Sequence, residues 1–112
     1  MLLAEDPNIY LNYDEIARRK LTPAEVERAA GEEALTIPGI AQYFTRTSLM
    51  AGETASTPLA RQVARSFHPE RSGDVMLVTK PFYFWGTYAS QATGSSHGSP
   101  YAYDTNVSLI LF

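Results

Sequence analysis

His97 stands between Gly94-Ser95-Ser96 and Gly98-Ser99-Pro100, and the run continues Tyr101-Ala102-Tyr103-Asp104-Thr105-Asn106. Gly94 and Gly98 relax the backbone, so the imidazole can sit in an irregular loop instead of a packed element. Two chemistries suit that pattern. A neutral imidazole is a zinc ligand, but a zinc site needs three or four ligands. Here His97 supplies one and Asp104 at best a second. A Ser-His-Asp hydrolase could be drawn from Ser96 or Ser99 with His97 and Asp104. A serine next to the histidine presents its hydroxyl poorly to the ring, however, and no nucleophile elbow is present. On spacing alone, a lone loop histidine is more often a bystander than a ligand.

Other reactive-looking groups read as ordinary surface. His68 precedes Pro69 at a predicted helix end, where an imidazole commonly satisfies carbonyls. Arg18, Arg19 and Lys20 could bind phosphate, but a solvated helix end with cations against the dipole explains them more simply. Glu32 and Glu33 read as a wet helix face. No GxGxxG or GxxxxGK[ST] cradle occurs. The aromatic run Phe82-Tyr83-Phe84-Trp85 could stack on a ring or form an interface, and packing over a sheet is the commoner use.

The elements that must carry these residues are legible from caps and periodicity. Asn8 to Asn12 reads as a short strand. Tyr13 to Lys20 reads as a helix, with Asn12 as N-cap and Glu15 completing a capping box. Thr22-Pro23-Ala24-Glu25 opens a stronger helix, whose apolar face is Val26, Ala29, Ala30, Ala34 and Ile37. Gly31 weakens it, and Pro38-Gly39 ends it. Gly39 to Arg46 reads as a second strand, with Ile40, Gln42 and Phe44 on one side and Ala41, Tyr43 and Thr45 on the other. Thr47 to Met50 adds a helical turn, and residues 52–56 form a loop. Thr57-Pro58 caps another helix, with Leu59, Val63 and Phe67 as its buried stripe. After a turn at 70–74, Val75 to Thr79 is a third, central strand. Thr87 to Asp104 is a long polar loop of the kind that is usually functional or disordered. Val107 to Phe112 reads as a strand buried on both sides.

The order β-α-α-β-α-β-loop-β predicts an α+β fold. The expected form is a small, mostly antiparallel sheet with helices packed on one face, ferredoxin-like or related. Residues 1–86 would form this subdomain. Residues 87–112 would form a loop and a core strand belonging to a larger sheet. The apolar ending Ile110-Leu111-Phe112 suggests a fragment of something longer, and an unpaired strand at 107–112 should seek a second chain by self-association or strand exchange.

Composition sets outer bounds. With 112 residues, 45% apolar and 19% charged, the chain is at most one ordinary globular domain. A net charge of -3 argues against nucleic acid as a partner. The absence of cysteine excludes disulfides and thiolate metal sites. No stretch approaches the length of a membrane span.

Two strings carry a family resemblance: Phe67-His68-Pro69-Glu70-Arg71-Ser72-Gly73-Asp74-Val75, then, after Lys80-Pro81, Gly94-Ser95-Ser96-His97-Gly98-Ser99-Pro100-Tyr101 with Tyr103-Asp104-Thr105. Together they resemble the C-terminal part of the alkaline phosphatase superfamily, nearest the PafA-like phosphatases and the type I phosphodiesterase/nucleotide pyrophosphatases. The resemblance implies a phosphomonoesterase or phosphodiesterase acting on phosphate esters, with a threonine or serine nucleophile and two zinc ions. It implies that His97 is the late histidine ligating one zinc. Gly98 would let the loop approach the metal, and Asp104 would orient the loop. Relatives carry histidine at the position of Asn106 and proline at that of Ser108. Their nucleophile and remaining Asp and His ligands lie upstream of anything matched here, so this chain alone is expected to be inactive. Export to the periplasm is common among such relatives. The competing reading is a non-catalytic α+β interaction module that uses the aromatic run 82–85.

Overall fold

A computed structural model of the chain describes residues 7–53, 56–83 and 98–111. In chain order it contains β1 (Asn8–Ile9), α1 (Tyr13–Arg18), α2 (Pro23–Ala34), β2 (Ile40–Thr45), α3 (Arg46–Ala51), α4 (Pro58–Ser66), β3 (Val75–Thr79) and α5 (Ala102–Thr105). The class is α+β, as the sequence predicts. The three strands form one antiparallel sheet in the order β1-β3-β2, with β3 central.

Local chemistry sets the helix starts. At α2 both halves of the capping box form: Glu25 N–H donates to the Thr22 hydroxyl at 3.4 Å, and Thr22 N–H donates to the Glu25 carboxylate at 3.0 Å. Pro23 sits at the first helical position, where its missing N–H costs nothing. Thr57 and Pro58 repeat this arrangement at α4. At α1 only half of the expected box is made. The Asn12 side chain accepts from Glu15 N–H, but the Glu15 carboxylate turns to Arg18 and Arg19, each at 2.6 Å. Two of the three cations in the basic trio are therefore paired on an exposed helix end, where ion pairs contribute little.

Side chains alternate across the sheet, and each face carries its own apolar cluster. On one face Val75, Leu77 and Ile40 pack with Ala34 of α2, flanked by Tyr43 and Ala30. On the other, Phe44 and Val78 pack with Leu49 of α3 and with Ala60 and Val63 of α4. Helices thus cover both faces. A register shift between Ile40 and Gln42 turns Ile40 onto the Tyr43 side, away from the Gln42 and Phe44 side that strict alternation predicts.

The buried stripe of α2 also differs from expectation. It runs through Glu27, Ala30, Gly31 and Ala34, while Ala29 and Ile37 are exposed. Glu27 is only 1% exposed. Its carboxylate accepts the backbone N–H of Thr47 at 3.1 Å. A carboxylate is stable there because it satisfies an otherwise unbonded N–H at the start of α3. Apolar periodicity alone could not place it inside.

Residues 107–111, read from the sequence as a strand of a larger sheet, have no regular structure in this chain, and Val107, Leu109, Ile110 and Leu111 are 83%, 84%, 68% and 85% exposed. A strand requires a neighbour for its backbone groups, and none of the described strands lies beside this segment. Among the described residues, no helix is long and apolar enough to cross a membrane.

Candidate functional site: the loop following His97

β3 ends where Lys80-Pro81 breaks the ladder. Lys80 N–H still donates to Gly39 carbonyl at 2.7 Å, and Tyr83 N–H reaches back to Lys80 carbonyl at 3.1 Å. The Thr79 hydroxyl donates to Tyr83 carbonyl at 3.1 Å. Phe82 adopts a left-handed backbone, φ 66°, uncommon for an aromatic residue. Gly39 lies under the Tyr83 ring at φ 97°, and a Cβ there would meet Cδ1 of that ring at 2.5 Å. The position needs glycine on both counts.

Residues 98–105 close onto this turn. Gly98 has φ 93° and is exposed. The next N–H, of Ser99, donates to the Asp104 carboxylate at 2.9 Å. Asp104 and Thr105 N–H groups both bond to Tyr101 carbonyl, which shapes the single turn of α5. The Tyr101 hydroxyl donates to Thr79 carbonyl at 2.7 Å, and Phe82 N–H donates to the Tyr103 hydroxyl at 2.9 Å. Three rings stack in sequence: Phe82 on Tyr103 at 5.2 Å between centroids, and Tyr103 on Tyr101 at 5.8 Å. Burial, then the neighbouring Tyr103, raises the Tyr101 pKa above the usual phenol value. The Ser99 hydroxyl is buried without a hydrogen-bond partner among the described residues. The two separated strings, Lys80 to Tyr83 and Gly98 to Thr105, therefore meet at the end of β3.

His97 lies outside the described residues, as do Phe84 and Trp85 of the aromatic run. Of the other expected site residues, Gly98 takes the left-handed backbone that glycine favours, and Asp104 holds the backbone two residues after His97. Among the described residues, no three His, Cys, Asp or Glu side chains are grouped so as to hold a metal ion.

The Phe67 to Val75 string has an architectural use. His68 Nδ1 accepts Glu70 N–H at 3.2 Å, so the ring closes a turn and does not cap helix carbonyls as the sequence suggested. The His68 backbone exchanges bonds with Ser72: its N–H donates to the Ser72 hydroxyl and its carbonyl accepts Ser72 N–H. Asp74 is 5% exposed, and its carboxylate accepts Leu11 N–H at 2.8 Å and the Tyr13 hydroxyl. Its backbone ties β1 to the start of α3: its N–H donates to Ile9 carbonyl at 2.8 Å and its carbonyl accepts Arg46 N–H at 2.7 Å. The bond to Asp74, then burial and the negative charge of Asp74, push the Tyr13 phenol up to about 12. Arg46 spans the same corner, with its guanidinium on Pro69 carbonyl and 6.0 Å from the Phe67 ring centroid. Sequence reasoning missed Glu27, Asp74 and Tyr13 as a group, because long-range hydrogen bonding leaves no periodic signal.

The chain is similar to the alkaline phosphatase PhoK of a Sphingomonas species, with 30% identity over 95 residues. The match covers 80% of this chain but only 17% of that phosphatase. No family model matches the chain, and no solved structure matches it. The chain thus spans less than a fifth of the length of that phosphatase, and the similarity is to one segment of it.

Proposed function

We propose that the chain is the ligand-loop segment of a zinc-dependent phosphate-ester hydrolase of the alkaline phosphatase superfamily, with His97 supplying one zinc ligand. The observation that carries this reading is the similarity to an alkaline phosphatase across 80% of the chain. The closure of Gly98 to Thr105 onto the end of β3 is in keeping with it. Asp104 fixes Ser99, and Gly98 supplies the backbone freedom between that anchor and His97. The role of Asp104 is to position the loop; it touches no reacting atom in this reading.

The residues present do not by themselves make a zinc site. One imidazole is far short of three or four ligands, the chain has two histidines and no cysteine, and His68 Nδ1 is already committed to Glu70. No catalytic step is assigned to the chain alone, and the nucleophile and remaining ligands belong to the rest of such an enzyme. Whether the ester is a mono- or a diester is set there too.

The test is a graft. Residues 67–112 replace the matching segment of the Sphingomonas phosphatase, and hydrolysis of an aryl phosphate and zinc content are measured. The graft should turn over substrate, and His97→Ala within it should cut activity by at least about 100-fold and lower bound zinc. Full activity and zinc content in the His97→Ala graft would defeat the assignment. The unfused 112-residue chain should show no zinc-dependent turnover.

A further inference from the structure

Two tyrosines fasten the loop that follows His97 to the end of β3. The Tyr101 hydroxyl donates to Thr79 carbonyl at 2.7 Å, across 22 residues of sequence. The Tyr103 hydroxyl accepts Phe82 N–H at 2.9 Å, across 21 residues. Phe82 meets that hydroxyl from a left-handed backbone, φ 66°, which is unfavourable for a side chain with a Cβ. Such a conformation persists only where its surroundings over-determine it. Here they include the bond to Tyr103, and the Phe82 ring stacked on Tyr103 with 5.2 Å between centroids. The Tyr103 ring stacks in turn on Tyr101. Three rings and two hydrogen bonds therefore form one unit. From below, the Thr79 hydroxyl and the Lys80 N–H tie the same turn to Tyr83 and Gly39 carbonyls.

On the loop side the contacts run on without a break. Tyr101 carbonyl accepts the N–H groups of Asp104 and Thr105, and the Asp104 carboxylate accepts Ser99 N–H. Ser99 is thus connected through Asp104 and Tyr101 to Thr79, and His97 lies two positions before it. We propose that Tyr101 and Tyr103 are positioning residues: they latch the loop onto the strained turn after β3, so that the small sheet sets where the backbone beside His97 lies. The chemical consequence, a preset imidazole that gives up less freedom on meeting its metal, rests on the hydrolase reading; the latch itself does not. Each tyrosine acts through the loop backbone.

Two measurements keep the latch and the hydrolase reading apart. In the intact 112-residue chain, amide exchange followed by NMR should show the Phe82 and Ser99 N–H groups protected. Tyr103→Leu removes both the bond and the stack and should speed both amides by at least about 10-fold. Tyr103→Phe keeps the stack and should speed them less. The Leu77 N–H, bonded to Pro7 carbonyl, should not change, which shows that the sheet is intact. In the phosphatase graft, Tyr103→Leu should lower zinc affinity about 10–100-fold in competition with a chelator. Tyr103→Phe should recover part of that loss, and excess zinc should restore turnover. A Ser99 exchange rate unmoved by Tyr103→Leu overturns the proposal, and so does a zinc-binding graft whose affinity that variant leaves unchanged. The exchange rates decide the latch even where the parent graft binds no zinc, a result that would instead sink the hydrolase reading.

Discussion

Replacing Gly31 by alanine tests the packing of α2 on the sheet. In a solvent-exposed helix interior this change stabilises by about 1 kcal/mol, because alanine is the better helix former. Here a Cβ at position 31 would lie 2.6 Å from Cγ of Tyr43 and closer still to Cδ2 and Cε2. Carbon atoms ordinarily approach to about 3.5–4.0 Å, so the ring must move by about an ångström or more. It has little freedom to do so. Its backbone is paired with Leu77 of β3, and its hydroxyl donates to Glu32 at 2.8 Å. Overpacking of this kind costs about 1–3 kcal/mol, and with both ends of the ring held the upper half of that range applies. Net of the helix gain, Gly31→Ala should destabilise by about 1–2 kcal/mol, a fall in Tm of roughly 4–8 °C per kcal/mol for a domain this small. Thermal and urea unfolding followed by circular dichroism would read it. The cycle with Tyr43→Ala supplies the control: without the ring, Gly31→Ala should stabilise by up to about 1 kcal/mol. A Gly31→Ala protein as stable as wild type, or the same sign in both backgrounds, would refute the reasoning.

Three further perturbations probe the buried polar groups and the loop. Because the folded-state phenol of Tyr13 is raised to about 12, its contribution to stability is complete below about pH 10 and is lost as pH rises toward 12. The ultraviolet difference titration of wild type against Tyr13→Phe should show that late tyrosine, and the variant should lose less stability across this window. Glu27→Ala removes the buried acceptor of the Thr47 N–H and should cost about 1–3 kcal/mol in urea unfolding, whereas Glu27→Gln, which keeps an acceptor, should cost less. In the phosphatase graft, Asp104→Ala should reduce activity by about 10–100-fold, less than His97→Ala, because it releases Ser99 without removing a ligand; a loss equal to that of His97→Ala would mean that Asp104 does more than position the loop.

Sequence alone was sufficient wherever the deciding interaction is local. The N-caps at Asn12, Thr22 and Thr57 and the prolines at 23 and 58 each act within one helical turn, so the helix starts were readable and the α+β order with them. β3 was readable too, as an unbroken apolar run between turn residues. Tertiary structure decided what depends on distant neighbours. Glu27 goes inside because α3 offers it an unbonded N–H, 20 residues away in sequence. Ile40 changes face because of a register shift that only the pairing with β3 defines. Gly31 is a packing requirement of Tyr43, though in sequence it is only a weak helix residue. Val107–Leu111 has the local composition of a buried strand, but strand formation requires a partner, and none of the described strands lies beside it. The loop divides the same way. Glycine beside His97 signals backbone freedom from sequence alone, but the bond from Ser99 to Asp104 and the seating of Tyr101 and Tyr103 against Thr79 and Phe82 exist only once β3 and its turn are built.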